Sequence, residues 1–164
     1  MQYSAPVKPS TSQGCEKRQG LFFAAPYSAG STASDIEGWD KTLGLVAGSD
    51  AFEGIEFLLS AGDQVNTASD ENQYNGYLEH EALYSLPVAT VVGNHDSSSA
   101  AYSQHFNEPN NSQYGATNAS SDYYFVYGGV LFMVLNSNNI GLTKDQMSEN
   151  MMLCDAYFRM MLSY

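Results

Sequence analysis

The chain has 164 residues, 43% of them hydrophobic and 15% charged, enough to bury one moderate core. Six Lys plus Arg against 18 Asp plus Glu leave a net charge of −12, which repels a phosphate backbone and excludes a large basic interaction face. No window approaches the roughly 18 to 20 uncharged apolar residues that a bilayer span needs, and residues 1–20 lack the apolar core of a signal peptide.

In chain order, residues 1–20 carry no period and several turn formers, and read as a disordered or misassigned leader. Residues 21–25 form a short apolar run that predicts a strand, stopped by Pro26. Ser34 and Glu37 stand at capping-box spacing, and Ile36, Trp39, Leu43 and Val46 then recur at helical intervals. Residues 55–60 are the next apolar run, too short for a helix and ended by Ala61-Gly62. Tyr74, Leu78 and Ala82 predict a second helix over 73–85, with His80 inside it, before Pro87 and a buried strand over 88–92. Strand, helix and strand joined by one crossover imply parallel pairing and a layered α/β architecture.

Residues 97–122 are rich in Ser, Asn and Gln, a polar excursion more like a functional loop than a linker. Two β-rich runs, 123–127 and 130–135, flank Gly128-Gly129 and predict a hairpin. Thr143 and Gln146 cap a last predicted helix whose stripe is Met147, Met151, Cys154, Phe158 and Met161. That apolar face, with no further layer encoded after it, reads as a sign of truncation. Neither Cys15 nor Cys154 has a Cys or His at zinc-finger spacing, so both read as free thiols. Low lysine with abundant Tyr, Ser and Asn leans toward an extracytoplasmic protein.

Two segments place polar, ligand-type residues directly after apolar strands: Gly62-Asp63-Gln64-Val65 and Gly93-Asn94-His95-Asp96. In parallel α/β layers the carboxyl ends of strands share one edge, where ligands bind, so the two tips are expected to be neighbours. A carboxylate, a carboxamide oxygen and an imidazole converging there suit a divalent cation of intermediate softness. Each piece alone has a plainer reading, a common turn for Gly-Asp and a helix cap or Asx-turn for Asn-His-Asp.

With these residues the chain resembles the calcineurin-like metallophosphoesterases, in their purple-acid-phosphatase-like branch. The resemblance rests on Leu58-Leu59-Ser60-Ala61-Gly62-Asp63-Gln64-Val65, on Leu86-Pro87-Val88-Ala89-Thr90-Val91-Val92-Gly93-Asn94-His95-Asp96, on His105-Phe106-Asn107, and on Tyr124-Phe125-Val126-Tyr127-Gly128-Gly129 with the run 130–138. It implies an α/β fold of the four-layer type, a β-sandwich flanked by helices, with 21–164 as the N-terminal and central part of that domain. It implies two divalent or trivalent metal ions (iron, zinc or manganese) and hydrolysis of a small phosphomono- or diester by a metal-bound hydroxide. Carried over by position, Asp63 bridges the metals, Asn94 binds one of them, His95 faces the phosphoryl group as the catalytic residue, and Asp96 orients His95.

The family's first Asp-x-His element should end the opening strand, where Ala25-Pro26-Tyr27 offers no carboxylate. Asp35 and Glu37 are the nearest acidic substitutes and read equally as the first turn of a helix, where acids favour the dipole. His105 is a third recruit, and its plainer reading is a solvated loop residue. Three ligand-type residues cannot supply two ions, each needing roughly four to six donors. The chain therefore reads as a fragment of impaired activity, and the alternative is a non-catalytic remnant or binding module using the Tyr- and Asn-rich loop 97–124. No Gly-x-Ser-x-Gly elbow or phosphate-binding Gly-x-x-x-x-Gly-Lys loop is present.

Overall fold

The computed structural model describes residues 20–24 and 28–139. The elements are β1 (Gly20–Ala24), α1 (Ala33–Gly48), a 3-10 turn (Asp50–Phe52), β2 (Ile55–Ser60), α2 (Glu71–Leu78), a second 3-10 turn (Glu81–Tyr84), β3 (Val88–Ala89), α3 (Ala101–His105), β4 (Tyr123–Tyr127) and β5 (Val130–Val134). β1, β2 and β3 form a parallel sheet in that order, and β4 and β5 form an antiparallel hairpin. Among the described residues no helix is long and apolar enough to cross a membrane. The predicted helix after Thr143, Cys15, Cys154 and the Ala25-Pro26-Tyr27 step lie outside the described residues.

β2 organises the layers. Phe57 and Leu58 are successive strand residues and so point to opposite faces. Leu58 is fully buried in a cluster with Trp39, Leu43 and Val46 of α1 and with Tyr74 and Tyr77 of α2. Trp39 stacks on Tyr77 at 5.2 Å and its indole N–H donates to the Tyr77 carbonyl at 2.9 Å, which joins the two helices. On the other face Phe57 meets Phe125, Tyr127 and Phe132 edge-on, so the hairpin forms the next layer. Gly128 and Gly129, with φ of 57° and 78°, make the tight turn that two left-handed residues allow.

Besides one-residue changes at the start of β1 and the end of β5, three predicted elements shift. The cap of α1 is Thr32, not Ser34: Thr32 Oγ1 accepts the Asp35 N–H at 3.2 Å and donates to Asp35 Oδ2 at 2.6 Å. Glu37 instead pairs with Lys41 one turn on, at 2.7 Å. The second helix starts earlier, because Asp70 accepts the Asn72 N–H, and it ends at Leu78 rather than running on to Ser85. His80 does not lie inside it: its backbone is extended and Nδ1 accepts the Ala82 N–H at 3.1 Å, opening a separate 3-10 turn.

The third shift is in the strand predicted over 88–92. Its ladder to β2 covers only Val88 and Ala89. The next three carbonyls take side-chain donors instead: Thr90 O accepts from the Tyr123 hydroxyl (2.6 Å), Val91 O from Gln64 Nε2 (3.3 Å) and Val92 O from Asn138 Nδ2 (2.9 Å). The polar excursion 97–122 also has more structure than its composition suggests. Tyr102 and Phe106, four residues apart on and just after α3, are both buried in the core cluster.

Candidate functional site

Both strand tips reach the same edge. Past β2 the chain turns through Gly62 (φ 103°) and Asp63 (φ 52°), the latter a left-handed conformation that a non-glycine residue adopts at a cost. A Cβ on Gly62 would lie 3.0 Å from Gly93 Cα, and a Cβ on Gly93 would lie 2.1 Å from both the Asp63 nitrogen and Oδ1. Only glycine lets these two turns pack backbone against backbone. The Asp63 carbonyl accepts the Ser28 N–H at 2.7 Å, which brings the chain that follows β1 to this edge as well.

The Asp63 carboxylate is half-buried, and its Oδ1 accepts the His95 backbone N–H at 3.0 Å. Asp96 is fully buried and ties the two turns together: Oδ2 accepts the Gly93 N–H at 2.9 Å and Oδ1 the Val65 N–H at 3.3 Å. Burial pushes its carboxyl above the usual range and the nearby Asp63 charge adds to that, while the backbone N–H groups of Gly93, Val65 and Gln64 pull the other way. His95 Nδ1 sits 3.0 Å from the Asn66 carbonyl. A carbonyl only accepts, so this contact calls for the proton on Nδ1. Asn94 is exposed and stands between Gly93 and His95, the two residues that touch Asp63.

The other three candidates sit elsewhere. Asp35 is engaged in the α1 cap and Glu37 in its pair with Lys41. His105 closes α3, stacks on Tyr74 at 4.4 Å and meets Glu71 Oε2 at 2.8 Å. Two further residues shape the edge. Gln64 is fully buried and joins Ser60 Oγ (3.0 Å) to the Val91 carbonyl, and Asn138 holds the Val92 carbonyl. Gln64 stands inside the Gly-Asp-Gln-Val segment, a signal that draws the eye to its neighbour instead; Asn138 ends the 130–138 run, within which nothing singles it out.

The chemistry of a cation fits the donors in kind. Asp63 offers carboxylate oxygens and Asn94 an amide oxygen, hard donors of the kind suited to a divalent ion. Their number is short of a site: among the described residues no three of His, Cys, Asp and Glu come together in a way that could hold a metal ion.

No curated protein matches the chain. The family model for calcineurin-like phosphoesterases matches residues 33–158, which take in α1, both strand-end turns and the hairpin. The chain belongs to the calcineurin-like phosphoesterase family.

Proposed function

We propose that this chain is the metal-binding core of a phosphoesterase of the purple-acid-phosphatase-like branch, acting on small phosphomono- or diesters at a two-metal site. Phosphoester hydrolysis with divalent metals is the activity of its family. The observation that carries the reading is Asp63, held on a left-handed backbone with Oδ1 on the His95 N–H and Gly93 packed against it. Asp63 and Asn94 would hold metal, with Asp63 shared between two ions. When bound, such ions supply a hydroxide at mild pH and neutralise charge on the phosphoryl oxygens. His95 is held beside Asp63 through its backbone N–H and through Nδ1 on the Asn66 carbonyl. It binds the phosphoryl group and gives a proton from Nε2 to the leaving oxygen. Asp96 supports His95 by holding the 93–96 turn. On the same reading, the helix, sheet and hairpin layers are part of a helix-flanked β-sandwich.

The test is hydrolysis of an aryl phosphate by the chain loaded with manganese, zinc or iron. Metal-dependent turnover that falls by at least about 10²-fold in Asp63→Asn supports the proposal. Unchanged turnover in that variant sinks it. The short ligand set among the described residues favours a second reading, a non-catalytic binding module that uses the 97–124 loop. Ligand binding that survives both Asn94→Ala and chelation would select it.

A further inference from the structure

The strand that delivers Gly93-Asn94-His95-Asp96 is held past Ala89 by side chains, and one of them acts at the peptide that opens the turn. The Val92 carbonyl and the Gly93 N–H belong to a single planar unit. Asn138 Nδ2 donates to that carbonyl at 2.9 Å, and Asp96 Oδ2 accepts from that N–H at 2.9 Å. The plane is gripped at both ends. Gly93 has no side chain to restrict the rotation, so these two contacts act together with the His95 contacts to Asp63 and Asn66 in setting where Asn94 and His95 point.

Asn138 is itself prepared for the task. Its backbone N–H and its Nδ2 both donate to Asn136 Oδ1, at 3.1 and 2.8 Å. With Val92 O as the second acceptor, each hydrogen of the carboxamide has a partner. Asn136 is buried in turn, its N–H on Asp122 Oδ1 at 2.6 Å and its Nδ2 within reach of Thr117 Oγ1 (3.1 Å) and the Ser120 carbonyl (3.3 Å). We propose that Asn138 is a positioning residue for the 93–96 turn, transmitting the register of β5 and the buried Asp122–Asn136 pair to the Asp63–His95 contact. Its link to metal binding rests on the function proposed above; its grip on the turn does not.

The test compares amide hydrogen exchange in the native chain, Asn138→Ala and Asn138→Asp, the last keeping the shape but removing the donor. The His95 amide reports the bond to Asp63, and the Leu58 amide, bonded to the Pro87 carbonyl at 2.9 Å, reports the core. Loss of one hydrogen bond should speed exchange at Gly93 and His95 roughly threefold to tenfold with Leu58 unchanged. Mn²⁺ affinity, measured by titration calorimetry, should fall by a similar factor. Unchanged exchange at His95, or equal acceleration at His95 and Leu58, would overturn the proposal. If a variant fails to fold, the native chain decides: slowed exchange of both Asn138 carboxamide protons supports the grip, and free exchange removes it. A native chain that binds no Mn²⁺ counts against the phosphoesterase reading alone, because the exchange comparison judges Asn138 without metal.

Discussion

Gly93 has no room for a methyl group. Its Cβ would stand 2.1 Å from Asp63 Oδ1 and from the Asp63 nitrogen, and backbone atoms on the far side cannot swing away as a side chain could. Gly93→Ala is therefore expected to lower stability by about 1–3 kcal/mol, the range for forced overpacking. It should also weaken Mn²⁺ binding, since the displaced partner is the Asp63 loop. Urea denaturation and metal titration on the same sample check both, and a stable variant with native metal affinity would show that the two turns are not in contact. Asp63, Asn94 and His95 stood out in the sequence because a strand end followed by glycine and a polar ligand type is a local signal. Gln64 and Asn138 lie within segments that stand out, but nothing in those segments singles them out. A single carboxamide has no period or spacing, and Asn138 reaches Val92 across 46 residues of chain.

At the scale of elements the same contrast explains which boundaries were legible. β2 was readable over Ile55–Ser60 because its apolar run is local and Ala61-Gly62 ends it. The cap of α1 falls at Thr32 and not at Ser34, because the Ser34–Glu37 spacing does not fix the backbone geometry that selects a cap. The end of β3 depends on Tyr123, Gln64 and Asn138, donors from distant parts of the chain that no local pattern predicts. The 97–122 segment is anchored by Glu108, whose carboxylate accepts the Ser120 hydroxyl and meets the Tyr102 hydroxyl at 3.0 Å, with Tyr102 also 2.8 Å from Thr90 Oγ1. Burial pushes the Glu108 carboxyl above the ordinary glutamate range, with the two hydroxyls opposing. A raised folded value means that ionisation costs more in the folded chain than in the unfolded one. The stability this group contributes is thus fully present below the ordinary value of about 4.3 and is lost as pH rises through the folded one. Glu108→Gln, which cannot ionise, should show a shallower fall in its urea midpoint from about pH 4 toward neutrality. Parallel curves for variant and native chain would mean that Glu108 is solvated and does not anchor the segment.

For the molecule as a whole, the net charge of −12 complicates any test of metal binding. Cations that merely screen an acidic surface relieve self-repulsion and stabilise the fold without occupying a site. A specific ion behaves differently, stabilising the folded chain in proportion to the logarithm of its concentration, by about 2.7 kcal/mol at 100 times its dissociation constant. Two single-charge variants separate the effects. Glu53→Gln removes an exposed acid just before β2, while Asp63→Asn removes the carboxylate just past its other end. Screening responds to total charge, which the two variants change equally. A bound ion responds to its ligand. We expect thermal unfolding with added Mn²⁺ to show the stabilisation intact in Glu53→Gln, abolished in Asp63→Asn, and not reproduced by sodium chloride at matched ionic strength. Equal losses in the two variants, or full reproduction by sodium chloride, would assign the effect to the acidic surface and leave Asp63 without a metal to hold.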